Sequence, residues 1–143
     1  MNHSRHHARE VALQILFALD TEDLGLDSSD LTELLNNHFE HFQIPEGVRG
    51  FSAQLVAGAY LKRTELDLEI EKFANHWRVE RMATIDRNLL RMAIYEMTEM
   101  KNVPPMVTID EAIELAKQFG SAETGSFVNA ILDSIRKDRK ISA

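Results

Sequence analysis

Apolar residues recur along this chain with the period of a helix. Ala8, Val11, Ala12, Ile15, Leu16 and Leu19 fall at i, i+3, i+4, i+7, i+8 and i+11, which predicts one amphipathic helix. Arg5 and Arg9 lie four residues apart at its start, with His6 between them, and Arg9 is expected to flank the apolar stripe rather than fill it. After a polar loop, Leu31, Leu34, Leu35, His38, Phe39 and Phe42 predict a second helix, with Asp30 and Glu33 as its capping pair. Pro45 opens a third, which turns Val48, Phe51, Leu55, Val56, Ala59 and Tyr60 inward.

A break near Arg63 and Thr64 precedes a further helical stretch from Leu66 to Phe73 or Trp77. The next helix runs from about Ile85 to Met100 and is stopped by Pro104 and Pro105. Thr108 and Glu111 form a T-x-x-E capping box for Ile109 to Phe119, and Gly120 is expected to end that helix in the left-handed conformation. A last helix from about Ser126 to Arg136 buries Phe127 or Val128, Ile131, Leu132 and Ile135. No segment alternates with period two, and no repeat is evident. The expectation is an all-α, compact single-domain bundle of six or seven helices over residues 1–143.

Composition narrows the function classes. With no cysteine there is neither a disulfide framework nor a cysteine-based zinc site. The N-terminus lacks an apolar signal core, and no apolar run is long enough for a membrane span, so a cytoplasmic location is expected. The net charge is −7. Setting aside +2 on residues 1–9 and +3 on residues 134–143 leaves −12 between them. An acidic body with basic ends can still hold phosphates, weakly and with strong salt dependence.

The candidate chemistries are thin. His3, His6 and His7, or His38 and His41, give too few ligands for an ordinary zinc site. Gly120 to Ser126 imitates a phosphate loop but lacks its lysine and its preceding strand. Asp110, Glu111 and Glu114 suit the first turn of a helix better than acid–base work. The methionines sit mostly at core spacing. No metal, cofactor or enzyme activity is expected.

Two stretches carry a resemblance. SRHHAREVALQILFALD is similar to the arginine-rich entry and first helix of the NusB family of transcription antitermination factors. From Asp86 on, DRNLLRMAIYEMTEMKNVPPMVTIDEAIELAKQFGSAETGSFVNAILD resembles that family almost without gaps, through I-x-E-A-I-E-L-A-K-x-F-G and F-V-N-A-I-L-D. Residues 20–45 add little. The resemblance implies an all-helical domain that binds the boxA element of ribosomal RNA leader transcripts with the small-subunit ribosomal protein NusE, within the RNA polymerase antitermination complex. Family members occur as monomers and dimers.

Carried over by position, the resemblance places Arg5, His6, His7 and Arg9 in a basic RNA-binding patch, with Phe17 and Phe127 as aromatic positions on the RNA path. It places Glu80 and Asp86 toward NusE. His6 and His7 stand where arginines are typical, which implies weaker and more pH-dependent RNA binding. Two alternatives remain: a helical adaptor that has lost RNA contact, or the NusB-like domain of a ribosomal RNA cytosine methyltransferase. The absence of cysteine and the end at Ala143 favour a standalone factor over the latter.

Overall fold

The computed structural model describes residues 2–22, 24–75 and 77–141, with side chains from Ser4 onward. Within them the chain forms α1 (Asn2–Asp20), α2 (Ser28–His41), α3 (Glu46–Leu61), α4 (Arg63–Phe73), α5 (Thr84–Glu99), α6 (Pro105–Phe119) and α7 (Thr124–Asp138). A short 3-10 turn, Val79–Arg81, precedes α5. Among the described residues there is no strand and no helix long and apolar enough to cross a membrane.

α5 is the axis of the molecule. Every residue from Asn88 to Ile94 is buried, so its surface is covered all round, as expected of a helix inside a bundle. It packs against α1, α3, α4, α6 and α7. The α3–α5 crossing depends on Gly58, because a methyl group there would run into the ring of Tyr95. One core runs through the bundle, from Leu13, Leu16 and Leu55 through Leu89, Leu90 and Ile94 to Leu115, Leu132 and Ile135.

Several local expectations are corrected. α2 starts earlier than the Asp30/Glu33 pair implies: Asp27 is its N-cap, its carboxylate accepts the Asp30 N–H at 2.8 Å, and Asp30 returns the bond. Phe42, expected inward, is 60% exposed beyond the end of α2. α4 follows α3 after Lys62 alone.

Proline sets the next correction. α6 opens at Pro105, a full turn before Ile109, because the fixed φ and missing N–H of proline suit a first turn. Thr108 is therefore interior to α6, and its hydroxyl donates to Glu96. Gly120 is extended, at φ −102° and ψ −171°; it is glycine because a Cβ would meet Thr124 Oγ1 at 2.6 Å. The left-handed termination expected there occurs instead at Gln43, Asn75 and Lys140, just past α2, α4 and α7. At two of these the following N–H reaches back into the helix, Ile44 to Phe39 and Ile141 to Arg136, both at 2.9 Å.

Candidate nucleic-acid interface

The first half of the site is the leading edge of α1. Arg9 occupies the side of that helix facing α5 and α6, and it is only 2% exposed. Its Nε and Nη2 donate to the two carboxylate oxygens of Glu96 at 2.8 and 2.7 Å, and Nη1 donates to Glu111 Oε1 at 3.2 Å. Glu96 is itself 1% exposed and also accepts the Thr108 hydroxyl at 2.6 Å. A buried carboxylate needs a counter-charge, and the planar guanidinium fork matches it with two bonds. The expectation that Arg9 flanks the stripe is thus corrected: it lies within the interior and ties α1 to α5 and α6.

The neighbouring basic residues are partly occupied as well. Arg5 is half-buried with its guanidinium 5.0 Å from the centre of the Phe51 ring, and it has no carboxylate partner among the described residues. His6 Nδ1 lies 2.8 Å from Glu111 Oε2, and its Nε2 lies 3.7 Å from Glu10 Oε2. Because a carboxylate only accepts, the proton belongs on Nδ1. His7 is half-buried. Phe17 lies further along α1, 40% exposed on its outer side.

The second half of the site is a cleft of about 290 Å³ between the segment before α5 and the start of α7. It is lined by Trp77, Arg81, Met82, Ala83, Asp86, Glu123 and Phe127. The Trp77 and Phe127 rings meet edge to face with centroids 6.0 Å apart, and Trp77 remains 54% exposed. Thr124 fixes this corner: its hydroxyl donates to Asp86 Oδ1 at 2.9 Å and accepts the Ser121 N–H at 3.0 Å. The start of α7 is thereby held against the start of α5.

Five of the eight expected site residues thus fall into two groups. Arg5, His6 and Arg9 gather with Phe51 and Glu111 at the leading edge. Asp86 and Phe127, assigned to different ligands, line one cleft. Glu80 lies outside that cleft lining, exposed on the 3-10 turn with Arg78 Nη2 at 3.4 Å. Sequence reasoning missed the part played by Glu96, although a glutamate inside the apolar stripe of α5 was a signal. It also missed Trp77 as a cleft wall, for which local periodicity offers none.

Other candidates change little. The His3 side chain lies outside the described residues. His38 stacks on Phe42, with ring centroids 4.6 Å apart, and burial first and the nearby His41 second push its pKa down. Among the described residues no three His, Asp or Glu side chains gather to hold a metal. The basic C-terminus is largely paired: Arg136 and Lys137 with Asp133, and Arg139 with Glu69 on α4.

Comparison with known proteins places this geometry. The profile of the NusB family matches residues 6–137. The transcription antitermination protein NusB of Desulfitobacterium hafniense (strain DSM 10664 / DCB-2) is 42% identical over 142 residues, covering 96% of this chain and 94% of that protein. That of Desulforapulum autotrophicum is 41% identical over 132 residues, covering 92% and 90%. Among solved structures, T. maritima NusB superposes with a TM-score of 0.79 at 31% identity, covering 94% of this chain and 91% of that one. A crystal structure of the antitermination factors NusB and NusE in complex with dsRNA gives a TM-score of 0.80 at 27% identity, covering 96% and 99%.

Proposed function

This chain belongs to the NusB family, and from that premise we propose that it is a transcription antitermination factor acting in the cytoplasm without catalysis. It binds the boxA element of ribosomal RNA leader transcripts together with the ribosomal protein NusE, and it joins the RNA polymerase antitermination complex. The observation that carries this reading is the near full-length match to relatives named for that role. The likeness to a NusB crystallised with NusE and double-stranded RNA supports the choice of partners.

The geometry supports a division of labour. Arg5, His6 and His7 offer donors to phosphates, and Phe17 and Phe127 offer aromatic faces to unstacked bases. Arg9 serves the same surface indirectly, by fixing the register of α1 against α5 and α6. Glu80 and Asp86 face the protein partner. Because Asp86 and Phe127 share a cleft, the RNA and protein surfaces adjoin, which favours cooperative capture.

The test is direct: titrate labelled boxA RNA with this protein, with and without NusE, at moderate salt. Cooperative binding that prefers boxA to a scrambled oligonucleotide is expected. Equal affinity for both RNAs would overturn the reading, and NusE binding without RNA capture would make the chain an adaptor.

A further inference from the structure

We propose that Glu10 is a built-in competitor for the anion-binding edge of His6, occupying that edge until an RNA phosphate displaces it. The inference rests on the RNA-binding reading above. Its structural basis is the pair of carboxylates around one imidazole. Glu111 on α6 accepts from Nδ1 at 2.8 Å, while Glu10, one turn along α1, places Oε2 3.7 Å from Nε2.

The two carboxylates are not equivalent. Glu111 is also bonded to Arg9 through its other oxygen, so the buried cluster beneath the surface holds it in place. Glu10, apart from its approach to His6, is held among the described residues by Gln118 alone, whose Nε2 donates to Oε2 at 2.6 Å at the exposed surface. That bond parks the Glu10 carboxylate beside the one imidazole edge not bonded to Glu111. An Nε2–H donor on this edge would face one negative acceptor already in place, Glu10 Oε2 at 3.7 Å. A phosphate oxygen has the same charge and the same hydrogen-bonding chemistry, so it must enter against Glu10 or replace it. Glu111 orients His6; Glu10 limits what His6 can bind.

The experiment compares the intact protein with Glu10→Gln, which retains an acceptor for Gln118 and a good helix former. Anisotropy titrations use labelled boxA RNA and a scrambled oligonucleotide of equal length. Because phosphate contact is indifferent to sequence, Glu10→Gln is expected to tighten binding to both RNAs about threefold at low salt, less at high salt. In a His6→Gln background the gain should vanish, and Glu10→Ala should reproduce the gain in the parent.

No gain with either substitution, or an equal gain without His6, would overturn the proposal; the latter would reduce Glu10 to a charge acting through space. Loss of boxA preference with the Glu10 effect intact would sink the functional reading alone. Absence of binding to either RNA would remove both.

Discussion

The leading edge of α1 and the cleft beside α7 both carry residues expected to touch RNA, yet the fold treats them oppositely. At the leading edge, charge is turned inward: Arg9 is buried against Glu96 and Glu111, and His6 sits between two carboxylates. At the cleft, the Trp77 ring remains largely open. A formal charge near a helix start is therefore a poor measure of surface potential, whereas the aromatic area beside α7 stays exposed. Arg9→Ala would break this contrast most violently. Leaving Glu96 buried without its partner should cost about 3–5 kcal/mol of stability. Arg9→Lys should rescue little, since an ammonium cannot form the fork. Urea denaturation followed by circular dichroism checks both, and a loss below about 1 kcal/mol would return Arg9 to the surface role.

Phe127→Ala reverses the signature. Losing one stacking face should weaken RNA binding by roughly 1–3 kcal/mol. Because Phe127 is only half-buried, its effect on the unfolding midpoint should be smaller than that of Arg9→Ala. A boxA titration alongside a melt separates the two quantities. If the melt shifts while the affinity stays, Phe127 is a packing residue and the cleft is not on the RNA path.

These two residues also mark how far the sequence could be read. All the main helices were legible, because stripes such as Ala8 to Leu19 repeat with the helical period over several turns. The 3-10 turn at Val79 was too short to produce a period. Helix starts failed where two local signals competed: the Thr108/Glu111 pair reads as a cap, but both side chains serve tertiary bonds to Glu96, Arg9 and His6. The charged patch was legible as residue types and illegible as geometry. Nothing within ten residues of Arg9 announces Glu96, which comes from the far side of the sequence and meets it only after α1 docks on α5.

A polar lock at the other end of α1 sharpens the comparison through acid. Asp20 accepts from Arg87 Nε at 2.6 Å and Asn88 Nδ2 at 2.8 Å. Burial alone would raise its pKa; the bonds from Arg87 and Asn88, with the charges of Arg87 and Arg91, outweigh that and leave it below the usual 3.8. A depressed folded value means the stabilisation is full above the unfolded pKa and lost as pH falls through the folded one. Stability should therefore decline as pH drops below about 4. Asp20→Asn should cost roughly 1–2 kcal/mol at neutral pH, and it should flatten that acid limb. Denaturation curves from pH 7 to 3 provide the check; an unchanged acid limb in Asp20→Asn would assign the decline to other carboxylates.

The smallest expected effect belongs to Arg5, and it isolates what remains open at the leading edge. Its guanidinium stacks near Phe51 and has no carboxylate partner among the described residues, so phosphate can reach it without breaking an ion pair. Arg5→Gln should change stability by less than about 0.5 kcal/mol, as surface substitutions usually do. RNA binding should weaken severalfold, and the slope of log affinity against log salt should fall by about 0.7 for a single-stranded site, one phosphate contact's share. The slope is the discriminating quantity, because loss of stacking on Phe51 alone would lower affinity without releasing fewer counterions. If both slope and affinity stay unchanged, the leading edge makes no phosphate contact through this residue, and the open cleft beside α7 must supply most of the RNA contact by itself.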